Sequence, residues 1–131
     1  MKRPYDHAMV LLKKATNDLI AAEATLSTGQ ALDTVCFHAQ QAVEKSLKAV
    51  LALHDAEYPW RHDLGELLAL VKPLMPEIEP FRDRIIRMTP FAVAIRYDEE
   101  FEPTFGEASE ALQVAKDVHR LSNDVIEQGK T

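Results

Sequence analysis

At 131 residues and 47% apolar content, the chain is long enough to bury a core and too apolar for wholesale disorder. A formal net charge of −6 argues against the broad basic surface of a non-specific nucleic-acid binder, while leaving a local basic cleft open. The single cysteine, Cys36, excludes an internal disulfide and fits a reducing compartment.

Residues 5–28 predict a first helix, with Ala8, Leu11, Leu12, Ala15, Leu19, Ala22 and Leu26 on one face. Ser27-Thr28-Gly29 ends it, Gly29 being suited to the left-handed conformation that closes helices. The short connection makes a second helix, residues 31–54, an antiparallel neighbour. The N-terminal segment Met1 to His7 is basic without an apolar signal core. No run approaches the roughly 20 apolar residues that cross a bilayer. A cytoplasmic location away from membranes is therefore expected.

The second helix is the most informative stretch. Val35, Ala39, Val43, Ser46, Leu47 and Val50 recur every three or four positions as one stripe. The opposite side carries His38, Gln41, Lys45 and Lys48, with Gln40 and Glu44 along one flank. All of these can hydrogen-bond a partner. A bundle helix with a polar outer face would show the same pattern. Glu44 and Lys48 are also an (i, i+4) pair worth about 0.2–0.5 kcal/mol without any function. Cys36 falls beside the stripe as a small buried hydrophobe, since nothing adjacent would lower its pKa.

Residues 55–62 read as a loop containing Tyr58-Pro59-Trp60-Arg61. Trp60 either packs over the bundle end, the reading preferred here, or offers a base a stacking face. Asp63 opens the third helix, and Glu66 completes a capping-box pattern worth about 1 kcal/mol. Leu64, Leu67, Leu68 and Val71 supply its apolar face before Lys72-Pro73 stops it. Three prolines make residues 73–80 a bent linker. A fourth helix starts near Phe81, with Ile85, Met88, Ala92 and Ile95 following. Pro90 should kink or restart it and so re-aim the turn carrying Arg96 and Tyr97.

Residues 98–103 form an acidic loop. Thr104 and Glu107 make a second capping box, and the last helix turns Ala108, Ala111, Leu112, Ala115, Val118, Ser122 and Val125 inward. The prediction is an all-α protein: an antiparallel up-and-down bundle of about five helices, with residues 1–131 as one domain. Two long helices come first, then a short third, a Pro-kinked fourth and a long fifth.

Familiar enzyme signatures are missing. The sequence has no phosphate-cradling glycine loop, CxxC pair, HExxH helix or nucleophile elbow. His62-Asp63 is too isolated for a metal site. His7 and His119 read as helix-face residues without obvious partners. Neither metal nor cofactor is expected.

The run FHAQQAVEKSLKAVL, residues 37–51, resembles the signature helix of the HEPN family of small all-helical domains. His62-Asp63-Leu64 and Arg96-Tyr97-Asp98 agree in order and spacing, so the resemblance spans about residues 5–128. Many HEPN proteins are metal-independent ribonucleases in which an Arg and a His, roughly four to six residues apart, meet at a dimer interface. Here Arg96 sits where such a motif starts but is followed by Tyr97-Asp98-Glu99-Glu100-Phe101-Glu102-Pro103, without a histidine.

With that departure, the resemblance implies a nucleotide or RNA-phosphate binding module. It also implies a homodimer and a separately encoded minimal nucleotidyltransferase partner, as in toxin–antitoxin pairs. Arg96 would grip phosphate, Lys45 and Lys48 would add positive charge, and Gln41 and His38 would bond base or ribose. Tyr97 would stack, and Glu44 and His62 complete the candidate set. Arg96 paired with Asp98 or Glu44 as a structural salt bridge is the competing reading. Two other functions are carried alongside: a ribonuclease with an atypical site built on Arg96 and His38 or His62, and a structural protein whose polar second-helix face is an oligomer interface.

Overall fold

The computed structural model describes residues 3–58, 63–92 and 100–129. Among these the chain is all-helical, as the periodicity requires. Helix α1 spans Pro4–Ser27 and α2 spans Leu32–Leu53. Proline at the first position of α1 has the fixed φ a helix start needs and no N–H to leave unsatisfied. The connection between them is tight. Gly29 turns at φ +70° with nothing near its missing Cβ, and Ala31 enters α2 at φ +51°. The left-handed conformation is free for the glycine and costs the alanine about 1 kcal/mol.

Helix α3, Leu64–Val71, is secured at its start twice. The Asp63 carboxylate accepts from the backbone N–H groups of Gly65 and Glu66, and the Thr89 hydroxyl accepts from that of Leu64 at 3.1 Å. The proline-rich segment is more ordered than a bent linker: Pro76–Phe81 forms a 3-10 turn. Pro76 takes its first position, where the missing N–H would have no partner in any case, and runs this short are the usual use of the 3-10 form. Helix α4, Arg82–Ile86, is only five residues long. The interruption expected at Thr89-Pro90 is present as a turn over residues 87–90: α4 ends before the proline and helical backbone restarts at Phe91. Helix α5, Phe105–Gln128, starts at the expected capping box. The Thr104 hydroxyl accepts from the Glu107 N–H, the Glu107 carboxylate accepts from the Thr104 N–H, and both distances are 3.0 Å.

Helix α2 lies at the centre, packed against α1, α5 and α3. Its predicted stripe is fully interior: Val35, Ala39, Val43, Leu47 and Val50 are all buried, together with Ser46. They meet Leu64, Leu67 and Val71 of α3, Ile85 of α4, and Leu112, Ala115 and Val118 of α5 in one apolar cluster. A smaller cluster of Ala8, Leu12, Ala49, Ala52 and Ile126 joins α1, α2 and α5. Cys36 is buried as expected, and burial pushes its thiol up to about 12, which makes it inert as a nucleophile.

Candidate anion-binding groove

The polar side of α2 is not an outer face. Gln40 is fully buried and Glu44 is 4% exposed. The rest of that side lies along α1 as a polar seam. The reason is a residue of α1 that the apolar pattern conceals: Asp18 stands three positions after Ala15 and four before Ala22, on the buried stripe. A carboxylate there must find partners. It accepts from Lys45 Nζ at 2.6 Å and meets His38 Nδ1 at 2.9 Å. A second set runs along α2 itself. Gln41 donates to Gln40 at 2.7 Å, Gln40 donates to Glu44 at 3.4 Å, and Lys48 donates to the other Glu44 oxygen at 3.3 Å. The expected Glu44–Lys48 pair is therefore present, and it is more enclosed than a surface pair.

Antiparallel packing turns the seam into a cleft. At the C-terminal end of α2, an open groove of about 1080 Å³ lies between the two helices and residues Asp55–Tyr58. From α1 it is lined by Arg3, His7, Leu11 and Lys14, and from α2 by Glu44, Lys45, Lys48 and Ala52. Its walls carry four fixed cations against three carboxylates, Glu44, Asp55 and Glu57. Three of these cations are already ion-paired, Arg3 with Asp6, Lys45 with Asp18 and Lys48 with Glu44, so the groove gathers positive groups without a net positive charge. Tyr58 adds a ring: the Lys48 ammonium lies 5.4 Å from its centroid, and its hydroxyl is 3.5 Å from His7 Nε2. The groove thus combines ammonium groups with an aromatic face, the pair of features that phosphate and base need.

The structure brings Lys45, Lys48 and Glu44 into this groove. His38 and Gln41 sit further along the same α2 stripe, His38 held by Asp18 and Gln41 by Gln40. Arg96, Tyr97 and His62, as well as Trp60, lie outside the described residues. Three residues escaped the sequence reading: Asp18, Lys14 and Tyr58. Only Asp18 had a signal, its place on an apolar stripe. The other two emerge from the register of α1 against α2. The histidines also need correction. His7 meets Tyr58, and His119 Nε2 is bonded to Thr16 Oγ1 at 2.9 Å. Because the Thr16 hydroxyl donates to the Leu12 carbonyl, its bond to His119 requires the N–H on Nε2. Burial holds the His119 pKa below its usual value. Among the described residues, no group of three or more His, Cys, Asp or Glu is placed to hold a metal ion, and no helix is long and apolar enough to cross a membrane.

Comparison with known proteins agrees with this architecture. The chain is 28% identical to the "Putative toxin MJ1304" of Methanocaldococcus jannaschii, an alignment covering 93% of this chain and 90% of that one. It superposes on the crystal structure of TT1696 from Thermus thermophilus with a TM-score of 0.78 and 25% identity, covering 91% of this chain and 98% of the other. The HEPN domain profile matches residues 8–125, which include the whole polar seam, and the chain belongs to that family.

Proposed function

We propose that this HEPN domain is a toxin-like module that binds a nucleotide or RNA phosphate in the α1/α2 groove. The observation that carries the reading is the groove itself: Lys14, Lys45 and Lys48 line one cleft with Tyr58, whose ring lies 5.4 Å from the Lys48 ammonium, in an otherwise acidic chain. Phosphate oxygens would replace water on the ammonium groups, and a base would lie against the tyrosine. Arg96 and Tyr97 remain proposed contributors on the strength of the Arg96-Tyr97-Asp98 motif. The same reading assigns a homodimer and a separately encoded nucleotidyltransferase partner, in keeping with the relative named as a toxin.

Thermal unfolding against a panel of nucleotides and short RNAs tests the proposal. A ligand that binds only the folded state stabilises it by about 2.7 kcal/mol at a hundred times its Kd. One ligand should raise Tm in the natural protein and fail to do so in Lys14→Ala and Arg96→Ala. An unmoved Tm at millimolar concentrations of every ligand would end the nucleotide reading.

One observation favours ribonuclease activity as a second reading. Asp18 fixes His38 through Nδ1, which leaves Nε2 as the ring nitrogen open to proton transfer. Cleavage of single-stranded RNA in excess chelator, lost in His38→Ala, would establish it.

A further inference from the structure

We propose that the groove takes up a proton together with its anion, and that His38 is where the proton goes. This inference rests on the anion-binding reading above and names how that site is regulated. Its basis is a single carboxylate shared by two cationic groups. Asp18, with its side chain 11% exposed, lies between Lys45 Nζ at 2.6 Å and His38 Nδ1 at 2.9 Å. With His38 neutral, Asp18 and Lys45 cancel, and the ammonium is held against its carboxylate. When the imidazole gains a second proton, two cations face one anion. The cluster then carries a surplus positive charge, and imidazolium competes with Lys45 for Asp18. Lys45 also lines the groove, so it is the member free to turn to an anion there. By linkage, an anion that draws Lys45 away favours the protonated ring equally.

Among the described residues, the following groups lie around the ring. Helix α1 contributes Asp18, with Lys14 one turn before it. Helix α2 contributes Lys45, the neutral Gln41, and the Phe37 ring at 5.5 Å. Described residues of α3, α4 and α5 give His38 neither an ion pair nor a hydrogen bond. Among the described residues, Asp18 pairs with Lys45 and His38, and their competition for it sets the coupling.

The test is fluorescence anisotropy of a fluorescein-labelled single-stranded oligouridylate at fixed ionic strength, at about pH 6 and about pH 8, which bracket ordinary histidine titration. The natural protein should bind about fivefold tighter at the lower pH, one added charge near the groove being worth that much. His38→Gln keeps an amide donor for Asp18 but cannot titrate, and its affinity ratio should fall below about twofold. General protonation of the surface affects both proteins alike and so cancels in this comparison. Asp18→Asn, which releases Lys45, should bind tighter than the natural protein at pH 8. An equal pH ratio in the natural protein and His38→Gln overturns the proposal, as does an Asp18→Asn variant that binds no tighter. Binding that survives without the pH ratio removes only the coupling; no binding at either pH removes the anion reading and the coupling with it. Thermal melts of each variant confirm that the protein compared is folded.

Discussion

Helix α2 shows two faces that are buried on different terms. On one, Val35, Val43, Leu47 and Val50 meet α3 and α5 through apolar contact alone. On the other, His38 and Lys45 meet the Asp18 carboxylate of α1, while Glu44 and Lys48 pair along α2 itself. The apolar face is stabilised in proportion to the area it removes from water. The polar face gains little net stability, because desolvation offsets much of the attraction between its charges. A chain needing only a core would place leucines at both. The difference separates residues that hold the fold from residues that keep charge poised at a groove.

The sharpest way to break the comparison is one substitution on each face. Leu47 is fully buried at the centre of the large cluster. Leu47→Ala should cost about 2–5 kcal/mol of unfolding free energy in urea titration. The remaining folded protein should bind its ligand normally. Lys45→Ala, two residues away, should cost about 1–3 kcal/mol, because Asp18 keeps only His38 as a partner. Here the groove should lose affinity out of proportion to the stability lost. If Lys45→Ala weakens folding as much as Leu47→Ala and leaves binding intact, the seam is simply structural.

How much of this was legible follows from which physical signal each part uses. The stripe of α2, the capping box at Thr104 and the turn at Gly29 are local or periodic, and the structure shows each as expected; at Asp63 it shows the carboxylate cap without the reciprocal half of the expected box. The seam is not local. Asp18 and Lys45 are 27 positions apart, and Thr16 and His119 are 103 apart. Such partners follow from helix register, which no single helix encodes. One clue was present: an aspartate on an apolar stripe needs a buried cation. The 3-10 turn at Pro76–Phe81 was hidden for another reason, since the prolines of residues 73–80 argue against an α-helix and carry no signal for a short 3-10 connector.

A smaller effect comes from the α1–α5 contact. Burial lowers the His119 pKa, so the folded state resists a proton that the unfolded chain accepts. The stability this contact supports is complete above the unfolded histidine value of about 6.5 and is lost progressively as pH falls below it. His119→Gln should therefore flatten the acid side of a stability–pH curve measured by urea titration. Parallel curves for the two proteins would mean that the ring is solvated after all.

The remaining expected effect is the one of opposite sign, and it concerns the apolar face. Ser46 is fully buried on α2, and its hydroxyl has no hydrogen-bond partner among the described residues. Such a group loses its hydration without replacement. Alanine removes the hydroxyl, leaves almost no cavity and favours the helix by about 0.5 kcal/mol. Ser46→Ala should therefore stabilise the fold by about 0.5–1.5 kcal/mol, seen as a higher urea midpoint at unchanged slope. Asp18→Asn offers the contrast on the seam, because that polar group has two partners and its removal frees both. A destabilised Ser46→Ala would show that the hydroxyl is bonded in solution, through a trapped water for example, and that the two faces of α2 differ less than their side chains suggest.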